Sequence, residues 1–234
     1  MAEDIGKLKY RINYEFKNRE LLRKALTHRS YAVEHNLQYD NQRLEFLGDS
    51  VADLVLSEWL FNEYPGIKEG GMTKMRASLV CQDALAAIAR HLNLGAFLLL
   101  GNGEIESGGA ERDSTLSDLT EALIGAIYLD SGYENVRDWL IAVYKQVFPE
   151  PCLCLAGDNP KGMLQEYTQR VWNLTPDYSV VAVNGPDHNP NFLVAVSVNG
   201  YEARGCAVNR KAAEAQAAKK LLEILSERDP GIFN

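Results

Sequence analysis

Apolar residues recur at helical spacing over roughly the first two thirds of the chain and alternate with polar ones over much of the last third. Leu44, Leu47, Val51, Leu54 and Val55 mark the inner face of a helix over residues 41–64, where Pro65-Gly66 stops it. Upstream, Leu21, Leu22, Ala25 and Leu26 define a shorter helix that Asn18 is placed to cap, and the polar residues 27–30 read as its end. Leu116, Leu119, Leu123, Ile124 and Ile127 predict a helix over 113–129, and Val136, Trp139, Leu140, Val143 and Tyr144 one over 135–148. Ahead of both, Gly101, Gly103, Gly108 and Gly109 make residues 101–112 a mobile loop with no stable contacts expected.

Residues 149–158 hold two prolines, a glycine and no periodicity, which is how a linker reads. Beyond it the pattern predicts a helix over 159–171, strands over 178–183, 192–198 and 202–208, and an alanine-rich helix over 209–227. Asn199-Gly200 is a strong hairpin signal between the last two strands. The expected fold is an all-α domain, 1–148, followed by a small α+β domain of α-β-β-β-α order, 159–228.

Polar residues that break the apolar pattern carry the chemistry. Glu45 and Asp49 stack one turn apart on a largely apolar helix, with Gln42 three residues before Glu45 on the same side. Asp118 and Glu121 form a second acidic pair on the 113–129 helix. Carboxylates stacked in apolar segments repel and resist burial unless a cation or a proton compensates them. Two such pairs, converging from two helices, supply the hard oxygen ligands that Mg²⁺ or Mn²⁺ requires. Read singly, each pair is an ordinary solvated stripe and His28 an ordinary structural histidine.

Composition narrows the partners. The net charge is −8, shared between residues 1–148 (16 basic, 22 acidic) and 149–234 (8 basic, 10 acidic), so any site for a polyanion is local rather than a consequence of overall basicity. Cys81, Cys152, Cys154 and Cys206 lack zinc-site spacing and are expected as reduced thiols. With no long apolar run and no basic-then-apolar start, the chain is expected in the cytoplasm, away from membranes.

Several blocks in order resemble a known family. Residues Arg43-Leu44-Glu45-Phe46-Leu47-Gly48-Asp49-Ser50-Val51, with Ala25-Leu26-Thr27-His28-Arg29-Ser30 upstream and Asp118-Leu119-Thr120-Glu121-Ala122 downstream, resemble the ribonuclease III endonuclease domain. Leu164-Gln165-Glu166-Tyr167 and Gly185-Pro186-Asp187-His188 resemble a double-stranded-RNA-binding domain. Nearly the whole chain is covered.

The resemblance implies an Mg²⁺-dependent endonuclease, with Mn²⁺ able to substitute and no small-molecule cofactor. It would cleave double-stranded RNA to 5′-phosphate and 3′-hydroxyl products with short 3′ overhangs, in RNA processing such as ribosomal-RNA precursor maturation. Glu45, Asp49, Asp118 and Glu121 match the metal site, Asp49 and Glu121 being the catalytic pair. Glu69 matches a further acidic position near the cleavage site, and Phe46 the contact at the centre of a homodimer. Gln165, Gln169, His188, Arg210 and Lys211 match duplex contacts through minor grooves and phosphates. Gln42 departs from the glutamate that many members carry; an amide can still accept a hydrogen bond from water or touch RNA, but it removes a charge. The contrasting reading is a non-cleaving duplex-binding protein that keeps the fold, and the presence of all four carboxylates argues against it.

Overall fold

The computed structural model describes residues 5–149, 151, 160–184 and 190–226. The chain divides into two compact units, residues 1–63 with 76–149, and 64–75 with 150–234. Nine helices precede residue 150 among the described residues: α1 (Leu8–Ile12), α2 (Arg19–Ala25), α3 (Arg29–Glu34), α4 (Gln42–Glu63), α5 (Glu69–Val80), α6 (Gln82–His91), α7 (Asn102–Glu106), α8 (Asp113–Ser131) and α9 (Tyr133–Val147). None of the helices in the described residues is long and apolar enough to cross a membrane.

The core of the first unit is α8, which α4, α6 and α9 surround. Its Leu119, Ala122, Leu123, Ile124, Ala126 and Ile127 are fully buried, as expected of a helix that is apolar nearly all round. Helix α4 buries Leu44, Val51, Ala52, Val55, Leu56, Trp59 and Leu60. Leu54, expected on that inner face, instead joins Phe46 and Phe61 on an outward stripe, with 57, 79 and 67% of their surfaces exposed. Positions 46, 54 and 61 repeat every seven to eight residues, so they share one side of the helix, which none of the described residues covers.

Asp130, near the end of α8, ties down the N-terminal helices. Its carboxylate accepts hydrogen bonds from the Tyr14 hydroxyl at 2.7 Å, the Lys17 N–H at 2.9 Å and the Asn18 N–H at 2.7 Å. Asn18 caps α2 as expected, its side-chain oxygen accepting from the Glu20 N–H at 3.0 Å.

Two local expectations are corrected. Residues 27–30 do not end the preceding helix: α2 stops at Ala25, Thr27 bridges to Leu99, and His28 caps a new helix, α3. Residues 101–112 are not a contactless loop. They form α7 and a 3₁₀ turn at Gly109–Glu111, because Glu34 accepts from the Asn102 N–H at 2.8 Å, Ser30 Oγ from the Gly101 N–H at 2.9 Å, and Arg112 pairs with Glu104 at 2.8 Å. A carboxylate at the start of a helix satisfies amides that a free loop would leave to water.

The second unit contains α10 (Pro160–Trp172), an antiparallel sheet in the order β1 (Asp177–Asn184), β2 (Asn191–Val198), β3 (Tyr201–Ala207), and α11 (Arg210–Ser226). Val198 pairs with Tyr201 across a turn in which Asn199 (φ 49°) and Gly200 (φ 80°) are both left-handed, the conformation the Asn-Gly pair was expected to supply. Helix α11 lies against β2, β3 and α10 through Ala213, Ala217, Ala218, Leu221 and Leu222. The residues 185–189, His188 among them, lie outside the described residues.

Candidate active site and duplex-binding residues

The acidic site is made by the crossing of α4 and α8. Neither Gly48 nor Gly125 has room for a side chain: a Cβ on Gly48 would lie 1.8 Å from the Glu121 carbonyl oxygen, and one on Gly125 2.3 Å from that of Leu44. With backbones in direct contact, side chains about one turn from the crossing on each helix meet. Glu45, Asp118 and Glu121 each place a carboxylate oxygen within 4.8 Å of the others, all three half-buried. Asp49, one turn further along α4, is exposed and stands outside that group of three, though its charge acts on both Glu45 and Glu121.

The electrostatics follow from this crowding. Burial, and then the charges of Asp49, Glu45 and Asp118, push the Glu121 carboxyl up to about 7. Glu45 is raised by burial and by Asp118, Asp40 and Asp49. Asp118 is raised by burial, an effect that His28 opposes. Among the described residues none of the four carboxylates takes part in an ion pair. Three hard oxygen donors converging, with no ion pair to any of them among the described residues, fit a hard divalent ion.

The other positions singled out in the sequence fall as follows. Gln42 begins α4; it is exposed, with its N–H donated to the Asp40 carboxylate at 3.1 Å, and it lies outside the carboxylate group. Gln42 and Phe46 both line a cleft of about 1260 Å³, shared with Leu21, Val33, Leu47 and Leu129. Glu69 opens α5 and accepts from the Thr73 hydroxyl at 3.0 Å.

In the second unit Gln165 and Gln169 stand exposed one turn apart on α10, and Gln169 donates to Asn173 Oδ1 at 2.5 Å. Arg210 and Lys211 open α11, which Asn209 caps by accepting from the Ala212 N–H at 2.8 Å. Arg210 is partly engaged: its Nε donates to Glu214 at 2.8 Å, and Lys161 bonds the other oxygen of that buried carboxylate. The Lys161 bond, burial and the Arg210 bond act together on Glu214, with the net effect of holding it below the usual carboxylate range. Two residues to which the sequence assigns no role act electrostatically on the acidic site. Asp40 adds negative charge beside Glu45, and its one signal was an acidic residue just ahead of a helix; His28 carried only its place in a polar cluster.

A family model described as ribonuclease-III-like matches residues 18–147, and one described as a double-stranded RNA binding motif matches residues 160–225. The chain belongs to the ribonuclease III family. Its relatives within the ribonuclease III family include the Ribonuclease 3 of Shewanella frigidimarina, 43% identical over 92% of this chain and 94% of that protein. The Ribonuclease 3 of Wolinella succinogenes is 41% identical over 97% of this chain and 94% of that protein. A solved structure of the ribonuclease III nuclease domain from Campylobacter jejuni, described for flexibility in a region involved in dimer formation, is 44% identical. It superposes with a TM-score of 0.60, covering 63% of this chain and 100% of that one.

Proposed function

We propose that this chain is a divalent-metal-dependent endoribonuclease that hydrolyses double-stranded RNA. The observation that carries the reading is the convergence of Glu45, Asp118 and Glu121 at the α4–α8 crossing, in a chain whose residues 160–225 match the double-stranded RNA binding motif. Glu45, Asp118 and Glu121, with Asp49 beside them, would hold Mg²⁺, or Mn²⁺ in its place. Such an ion supplies Lewis-acid stabilisation of charge on the phosphodiester and lowers the pKa of water, so that no protein nucleophile is needed.

The protein's own part is to keep the carboxylates together and to give up the Glu121 proton. The Gly48–Gly125 contact does the first, and Glu121 ionises near pH 7 before any ion compensates it. Asp49 and Glu121 are the catalytic carboxylates, and Glu69 and Gln42 help place the RNA. Gln165, Gln169 and His188 contact minor grooves, while Arg210 and Lys211 meet phosphates.

The outward stripe of Phe46, Leu54 and Phe61 is the dimer face, where Phe46 of one copy enters the cleft beside Phe46 of the other. Two sites related by a two-fold axis cut the two strands, leaving 5′-phosphate and 3′-hydroxyl ends with short 3′ overhangs. The setting is the cytoplasm, and ribosomal-RNA precursors are among the duplexes processed.

Incubating the protein with a long RNA duplex and Mg²⁺ tests this. Short duplex products are expected, and an intact duplex across a pH and metal series refutes the reading. Glu121→Gln should keep dimerisation and RNA binding while cleavage collapses; full cleavage by that variant would remove Glu121 from the site.

A further inference from the structure

The second unit sets a negative charge among the cations read as its phosphate contacts. Glu214 stands one turn along α11 from Arg210, and its side chain is only 11% exposed. Its two oxygens are used separately. Oε2 takes the Lys161 Nζ from α10, and Oε1 accepts the Arg210 Nε–H at 2.8 Å. The Lys161 ammonium also lies over the Tyr178 ring of β1, 4.6 Å from its centroid, so the carboxylate is tied to α10 and β1 independently of Arg210.

Stability alone does not call for a charge here. A buried ion pair is weak evidence for stability, and a glutamine at 214 could accept the Lys161 bond without one. Toward a polyanion the charge is adverse, because it subtracts from the positive potential of Arg210 and Lys211 in a chain already at −8. What the carboxylate supplies is an anchor. Arg210 is 62% exposed, and among the described residues the bond to Glu214 is the one its guanidinium makes. An arginine free in water loses rotamer freedom when it grips a phosphate. One tethered through Nε has already lost much of it, and it keeps the planar edge of its two Nη groups for a bidentate contact.

We infer that Glu214 is a positioning residue for duplex binding: anchored by Lys161, its carboxylate holds Arg210 by Nε and leaves the two Nη groups for a backbone phosphate. The inference rests on reading Arg210 as a phosphate contact. Lys161, Gln165 and Gln169 recur every four residues and so share a side of α10. The same carboxylate therefore joins the helix read as touching minor grooves to a residue read as touching phosphate.

The test uses the full chain in chelator, so that binding is read without cleavage, and an RNA duplex longer than the roughly sixteen base pairs such a domain spans. Arg210→Met should weaken binding. Glu214→Gln should weaken it about three- to tenfold although it removes a negative charge, whereas a charge acting only through its field would make that variant bind more tightly. In an Arg210→Met background Glu214→Gln should cause no further loss. In ¹⁵N spectra of the RNA-free wild type the Arg210 Nε–H should be ordered and protected from exchange, a readout that needs no variant to fold.

If Arg210→Met binds the duplex as wild type does, the phosphate contact fails and the inference with it. If Arg210→Met binds weakly and Glu214→Gln binds as tightly as wild type or more so, the inference alone is overturned. An equal loss from Glu214→Gln with and without Arg210 means that the carboxylate acts through the fold, which also overturns it, as does an Arg210 Nε–H that exchanges like that of a free arginine.

Discussion

Gly48 packs directly on Gly125: a Cβ at position 48 would come within 2.9 Å of the Gly125 amide nitrogen, besides striking the Glu121 carbonyl. Because the obstructing atoms are backbone, Gly48→Ala forces the two helices apart rather than displacing a flexible side chain. We expect a loss of about 1–3 kcal/mol in unfolding free energy, the usual range for overpacking. Cleavage should fall further than stability does, since the same shift separates Glu45 from Glu121. Denaturant melts and single-turnover cleavage measure the two effects; a variant with wild-type values in both would show that the crossing tolerates a methyl group.

The raised carboxyl of Glu121 makes the metal-free protein sensitive to pH. Its value of about 7 in the folded protein lies above the reference of 4.5, so between those values the folded state holds more protons than the unfolded one. Stability without ion should therefore decline as pH rises from about 5 to 8, by roughly 1 kcal/mol once solvent screening of this partly exposed group is allowed for. Added Mg²⁺ should reverse the decline, and its affinity should strengthen as pH climbs through 7. Glu121→Gln should flatten the pH dependence of the metal-free melting temperature. A wild-type melt in chelator that is level from pH 5 to 8 would refute this.

Asp130 works with the opposite sign. Burial raises its pKa, but the Lys17 N–H, the Tyr14 hydroxyl and the Asn18 N–H together outweigh burial and leave it lowered. Its stabilisation is complete above the unfolded value near 3.8 and disappears as pH falls through the folded one. Asp130→Asn should cost about 1.5–3 kcal/mol at pH 7, the range for hydrogen bonds to a charged group. The gap from wild type should close below about pH 4. Urea melts at pH 7 and pH 3 check it; an equal deficit at both would mean that the charge does not matter.

What was legible in the sequence was what local periodicity encodes. Pro65-Gly66 marks the end of α4, Asn18 the start of α2, and Asn199-Gly200 the β2–β3 turn, each because one residue type satisfies one backbone requirement. The spacing of Glu45 and Asp49 put both on one helix face, yet only Glu45 turned inward to Asp118 and Glu121. That distinction depends on where each residue lies around α4 relative to the Gly48–Gly125 contact, which no single helix reveals. Leu54 differs from its expected core position for a similar reason: helical spacing says that a side exists, not that the described residues cover it.

Nothing local in residues 101–112 announces their order, because the group that imposes it, Glu34, is 68 positions away from Asn102. The Glu34 carboxylate accepts three bonds from the backbone and side chain of Asn102 and Ser30 Oγ accepts one from the Gly101 N–H, which turns a glycine-rich stretch into helix and 3₁₀ turn. A protease must draw an extended strand into its cleft, which requires local unfolding, and the bonds that hold this segment oppose it. A glycine-rich stretch that looks in the sequence like the natural place to nick the nuclease unit is thus a place where digestion should be slow.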